Sequence, residues 1–211
     1  MNPTTDREVT LQLFMEGADA FVELSNSLND EGWNRSACGT WSAALLARHV
    51  LAAVDWFHVW LDRAELGDSS IPFAVTDLGE RNETELRERA DLSGMAAARK
   101  FGVRAGEYVE RVPEHWDLPY GYPFGEVTAG LHMGVAAAEW HLHAWDLARS
   151  MGQHHQPSNP RGLFRAAGHC VAKAEGGLRG RLLEGLLPIG ARYRPWETVL
   201  KQSGRSLDRS D

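Results

Sequence analysis

Glu139 and His143 stand four residues apart in the stretch Glu139-Trp140-His141-Leu142-His143-Ala144-Trp145-Asp146-Leu147-Ala148. On an α-helix that spacing puts a carboxylate and an imidazole on one face, about 6 Å apart along the axis. Such a pair can hold one divalent metal ion, but two ligands rarely suffice. A third is expected from elsewhere in the chain, and His49, in the apolar stretch Trp41 to Val50, is the candidate. A mixed imidazole and carboxylate set suits zinc best, with nickel, iron or manganese as alternatives. Three protein ligands leave a coordination position open, the form of a catalytic site rather than a structural one. A water or thiol at that position loses its proton near neutral pH, because the cation stabilises the anion. The competing reading is an ordinary i,i+4 contact on a helix surface. The apolar neighbours Val135, Ala136, Leu142, Trp145 and Leu147 argue for burial, and a buried carboxylate needs a partner.

The other histidines sort by angle. His141 is two residues from both proposed ligands and points elsewhere, so a structural or surface role is expected. His132 shares the face of Glu139 but lies about 10 Å along the axis, too far to share an ion. It can line a channel or sit satisfied in the core. His58 falls on the far side of the His49 helix, and His154 and His155 read as solvated linker residues. Asp146 follows His143 by three and can accept its ring N–H. It can equally pair with Arg149. Cys38, just before a helix start, is expected to be a packed thiol rather than a nucleophile.

These residues need helices to position them. Apolar residues at three- and four-residue steps predict a first helix over 6–29 and a second from Trp41 to Leu66, N-capped by Thr40. The second is apolar nearly all round, as a helix inside a bundle is. Trp56 and Trp60 extend the stripe of His49 and are expected to wall a pocket with His132 and Tyr122. A third helix is expected over 83–112 and a fourth over 128–151, closed by Gly152. Between them the Pro-, Gly- and aromatic-rich segment His115 to Gly125 reads as an ordered loop or a short extended piece. A fifth helix over 159–186 is weakened or broken by Gly176-Gly177 and Gly180, a loop framed by Pro188 and Pro195 follows, and the tail past Gly204 is expected to fray.

The whole composition bounds the function. Of 211 residues, 43% are hydrophobic and 24% charged, as in a globular domain. With 22 Lys and Arg against 29 Asp and Glu, the formal charge is -7, the wrong sign for nucleic acid or an anionic membrane. The first ten residues lack a signal pattern, and no run of about 18 apolar residues occurs. Two cysteines make no disulfide framework, so a reducing cytoplasm is the expected setting. No glycine-rich phosphate loop and no nucleophile elbow appears.

Cys38-Gly39-Thr40-Trp41, followed by Leu45-Leu46-Ala47-Arg48-His49-Val50, resembles the Cys-x-x-Trp…Leu…His signature of the DinB-like proteins. Glu139 to Ala148 is similar to the Glu-x-x-x-His-x-Trp-Asp-Leu-Ala motif of their mycothiol-dependent maleylpyruvate isomerase branch. The Phe124-Gly125 loop and the segment Trp196…Leu200…Gly204-Arg205 also look like it. The resemblance implies an up-and-down four-helix bundle and a divalent metal, usually zinc, on the counterparts of His49, Glu139 and His143. It implies mycothiol or a similar low-molecular-weight thiol as co-substrate. Known members isomerise a cis double bond through thiol addition, or transfer the thiol to an electrophile. The isomerase proper carries a separate C-terminal domain that contributes an active-site Arg. Here only the segment after residue 152 follows, and Arg161, Arg165 and Arg192 are the candidates to replace that Arg.

The expected fold is thus all-α, a DinB-like four-helix bundle over 1–152 with a helical extension over 153–211 packed on it. The expected function is a divalent-metal-dependent thiol enzyme, an S-transferase or isomerase, in which a metal-bound thiolate adds to an electrophilic small molecule. His49, Glu139 and His143 act through the metal. The alternatives are a non-enzymatic protein that binds metal or a small ligand, and a plain interaction bundle. A homodimer is compatible with either.

Overall fold

Trp140 is where the bundle helices meet. The computed structural model describes residues 3–175, 177–190 and 192–206. Among these, the elements in order are α1 (Pro3–Asn26), β1 (Ser36–Cys38), β2 (Trp41–Ser42), α2 (Ala43–Glu65), α3 (Leu78–Glu88), α4 (Gly94–Arg111), β3 (Pro119–Tyr122), β4 (Gly125–Thr128), α5 (Ala129–Ser150), α6 (Pro160–Glu175), α7 (Gly177–Gly190) and α8 (Pro195–Gln202). α1, α2, α4 and α5 form the bundle. α1 lies against α5 and α4, α2 lies against α4, and α2 and α5 meet along a sparser seam. The Trp140 ring on α5 packs on Phe14 of α1, Phe57 of α2 and Phe101 of α4, with centroids 5.9, 5.4 and 4.7 Å away. Three contacts from three helices fix the rotation of α5. They thereby fix the direction of Glu139, the next residue back.

The helix ends are chemically defined. The Ser42 side chain accepts from the Leu45 N–H at the start of α2, and Thr128 does the same for Leu131 in α5. The cap of α2 is therefore Ser42 rather than Thr40. Thr40 sits in the turn of a small hairpin that the sequence reading took for loop. Gly39 takes φ +56 there, a conformation that side chains resist. Gly152, at φ +69, closes α5 as expected.

Other expectations needed correction. The expected third helix is two, α3 and α4, because Ser93 caps a new start by accepting from Ala96 N–H. The segment before α5 takes the second of its two expected forms, short extended pieces, which pair as an antiparallel hairpin with Tyr120 opposite Val127 and Tyr122 opposite Gly125. The fifth helix is broken at Gly177, φ +51, into α6 and α7, in line with the expectation from its glycines, but α7 runs on through Pro188 to Gly190 where a loop is expected. α6 approaches α5 so closely at Gly134 that a Cβ there would stand 2.3 Å from the Ala166 carbonyl oxygen.

α2 is the one helix among the described residues long and apolar enough to cross a membrane by length and composition. Of its most apolar window 56% is buried inside the protein.

Candidate metal centre

The seam between α2 and α5 brings together the two imidazoles that the spacing argument singled out. The rings of His49 and His143 stand edge to face, centroids 5.2 Å apart. Trp41, held by the β1–β2 pairing, covers the other side of His49 at 4.8 Å. Glu139 lies one turn before His143 on the same helix. Neither His49 nor the Glu139 carboxylate makes a hydrogen bond or an ion pair among the described residues.

The electrostatics follow from this isolation. Burial, helped by the neighbouring His143, pushes His49 down to about 3, so its ring is neutral and a nitrogen lone pair is available. Burial pushes Glu139 up to about 7, against the pull of Arg205. A buried imidazole and a buried carboxylate that each lack a partner among the described residues are each suited to a group that is itself positive. The donor types suit a divalent metal.

Asp146 resolves the choice left open between His143 and Arg149. His143 Nδ1–H donates to Asp146 Oδ2 at 3.2 Å. This orients the ring and leaves Nε2 as the free donor atom. Asp146 is buried and is held by Arg205, whose Nε and Nη2 donate to its two oxygens at 2.7 and 2.5 Å. Burial raises the Asp146 carboxyl, but hydrogen bonds from His143 and Arg205 more than offset that and hold it below the usual range. Arg149 instead donates to the Ser206 carbonyl and lies over the Trp145 ring.

A tighter set also exists. Ligand atoms of Cys38, His143 and Asp146 all lie within 4.8 Å of one another, the set of three this compact among the described residues. His49, Glu139 and His143 are not drawn into so close a cluster. Yet Asp146 is already engaged by Arg205, and burial with the nearby Asp146 charge pushes the Cys38 thiol up to about 11. Asp146 is thus already occupied by Arg205 and His143, whereas His49 and Glu139 have no partner among the described residues.

The expected pocket residues do assemble. Trp56 and Trp60 lie 6.2 Å apart, Trp60 and Tyr122 5.7 Å, and Tyr122 and His132 4.9 Å. They form one aromatic cluster in which His132 is fully buried. The negative charge of Glu139 adds to burial in raising the Tyr122 hydroxyl, which sets the cluster beside the carboxylate. The space that opens on Glu139 is a different one, a cavity of about 550 Å³ between α5 and the α6–α8 layer.

His141, His155 and His58 are structural. His141 Nε2–H donates to the Leu13 carbonyl at 3.0 Å, so its Nδ1 accepts from His155 Nε2–H at 2.9 Å. His155 is thus half-buried and stacked on His141, not solvated. His58 bonds the Arg104 carbonyl at 3.0 Å. Of the arginines, Arg165 lines a separate cleft near α1, and Arg161 and Arg192 are exposed. Arg205 is the one that reaches the centre. It comes from the tail expected to fray, of which residues 207–211 lie outside the described residues.

The all-α fold, a four-helix bundle in which His49 of α2 meets His143 of α5, is that of the DinB-like class of protein. The chain belongs to the family described as mycothiol maleylpyruvate isomerase N-terminal domain, whose model matches residues 14–148. The match stops near the end of α5, so α6–α8 and Arg205 lie beyond it. Comparison with curated proteins and with solved structures gave no match.

Proposed function

We propose that this chain is a divalent-metal-dependent thiol enzyme, an S-transferase or a thiol-assisted isomerase, with His49, Glu139 and His143 as the metal ligands. The observation that carries the reading is the unpartnered state of His49 and Glu139 beside His143, in a chain whose family is associated with mycothiol. Zinc suits the nitrogen and oxygen donors best, nickel next. When bound, the cation supplies the positive charge that keeps a thiol deprotonated near neutral pH.

The chain's own residues do the rest. Asp146 fixes the tautomer of His143, and Arg205 keeps Asp146 ionised and in place. Trp41 excludes water from one side of His49. The co-substrate is mycothiol or a similar small thiol, and the acceptor an electrophilic small molecule.

The test is elemental analysis of untagged protein beside a thiol-consumption assay. About one metal per chain is expected for the parent protein and for Cys38→Ala, and a loss of most of it for His49→Ala and His143→Ala with helical circular dichroism retained. Full occupancy in both histidine variants, or loss in Cys38→Ala alone, refutes the assignment.

A further inference from the structure

The charge of the chain is not evenly spread. Residues 1–152 hold 12 Lys and Arg against 24 Asp and Glu, while residues 153–211 hold 10 against 5. An acidic bundle thus carries a basic extension. Opposite charges on two surfaces of one protein favour contact between copies.

The exposed apolar surface divides along the same line. Ten large apolar side chains stand exposed among the described residues, and eight of them fall in two groups. Val171, Leu182, Leu186 and Tyr193 belong to the extension. Leu182 and Leu186 are four apart and share one stripe of α7. Arg181 adjoins Leu182 and Arg192 adjoins Tyr193, and neither guanidinium is paired among the described residues.

Leu66, Ile71, Val75 and Phe124 belong to the bundle. The first three lie on the connection from α2 to α3. The β3–β4 hairpin brings Phe124 to that connection, since a Cβ on Gly121 would stand 2.1 Å from the Ser70 carbonyl oxygen. Asp77, Glu80 and Glu126 are exposed around this end, and none is in an ion pair among the described residues. The cations close by are engaged: Arg63 holds Asp68, and Arg81 lies over the Trp56 and Phe73 rings. Exposed apolar clusters edged by charge mark contact surfaces. Each of these two carries the sign that the other lacks.

We infer that the extension of one copy docks on the α2–α3 and hairpin end of a second copy. Given reciprocally, two such contacts close a two-fold pair. An anionic bilayer suits the extension less well, because it repels the acidic bundle behind it. The contact also reaches the centre. Val171 and Leu186 edge the cavity of about 550 Å³ that opens on Glu139, so the second copy closes its mouth. Neither the metal nor the thiol is needed for this contact.

Sedimentation velocity of the untagged full chain over a concentration series is the test. A reversible pair is expected, its dissociation constant rising about tenfold or more between about 50 mM and about 500 mM salt. Arg181→Glu with Arg192→Glu reverses the extension patch, and Glu80→Arg with Glu126→Arg reverses the bundle patch. Each double variant is expected to stay a single chain with helicity retained, because like charges then face each other. Mixing the two is expected to restore the pair, since both contacts then join opposite signs. Nile red held at the open mouth of the separate variants is expected to be released on mixing, its emission falling by about half or more.

A parent chain that stays single at every concentration overturns the inference, and binding of that single chain to phosphatidylglycerol vesicles would make lipid the occupant. So does a pair that only the extension reversal breaks, since the two extensions would then face each other. So does a mixture of folded variants that fails to pair. Nile red emission unchanged by mixing puts the contact away from the mouth and overturns its closure.

Discussion

Replacing His132 with phenylalanine tests how dry the centre of the bundle is. His132 is fully buried between Phe57, Trp60, Tyr120 and Tyr122, and neither ring nitrogen has a hydrogen-bond partner. Burial pushes its pKa from 6.5 down to about 3. The unfolded chain takes up a proton as the pH falls through 6.5, while the folded protein takes it up only near pH 3. The contribution is thus fully present above the unfolded pKa and is lost as the pH falls below it. Each pH unit in that window removes about 1.4 kcal/mol, so the loss is about 2 kcal/mol at about pH 5 and roughly 5 kcal/mol near pH 3. His132→Phe keeps a ring and removes the titrating nitrogens. At about pH 7.5 two effects of about 1–3 kcal/mol oppose each other, relief of the unpartnered nitrogens and crowding by the larger ring. The readout is therefore the change in the gap between the two proteins, in which the other buried histidines cancel. Urea unfolding at about pH 7.5 and about pH 5 is expected to show the gap moving by about 2 kcal/mol in favour of the variant. A gap that stays constant would mean that His132 titrates alike in the folded and unfolded chains, and the dry aromatic cage would be refuted.

Two further outcomes concern the supports of the centre. Arg205→Ala leaves the buried Asp146 carboxylate without its main partner, and a loss of about 3 kcal/mol of unfolding free energy is expected at neutral pH, partly recovered by Arg205→Lys; a loss below about 0.5 kcal/mol would place this pair among surface ion pairs. Gly134→Ala sets a methyl group against the Ala166 backbone, which has no rotamer to yield, so a net loss of about 1–3 kcal/mol is expected despite the gain of about 1 kcal/mol in helix propensity. Gly106→Ala on α4, where a Cβ meets nothing within 4 Å, is the control and is expected to gain stability; the same sign at both positions would contradict the close α5–α6 approach.

What the sequence revealed of the site is what a helix encodes locally. Glu139 and His143 are one turn apart whatever the rest of the chain does, and Asp146 is within reach of His143 for the same reason. The periodic runs of α2 and α5 are equally local, although the cap of α2 is Ser42, two residues past the expected Thr40. Ser93 was a legible cap too. The charged run before it read as one continuous helix because the apolar stripe persists from Leu86 to Phe101 across the break. The hairpin before α5 was hidden for another reason. Its strands are four residues each, too short for alternation to show, and Gly121 has to be glycine because the Ser70 carbonyl lies 2.1 Å from where its Cβ would be.

Arg205 marks the limit of local reading and points to how the extension serves the centre. Fifty-nine residues separate it from Asp146, and nothing in its neighbourhood except a glycine and a serine announces a partner. An arginine in a polar tail normally stays in water, because fixing it loses side-chain and backbone entropy. It is held here because the Asp146 carboxylate is already buried by α5 packing and needs a second donor besides His143. The burial of α5, fixed by Trp140, therefore recruits the tail, and the recruited tail closes α8 over Glu139. The same packing that leaves Glu139 without a partner among the described residues builds the cavity beside it. Removing Arg205 should accordingly loosen both together, with orientation of His143 and retention of Nile red falling in the same variant.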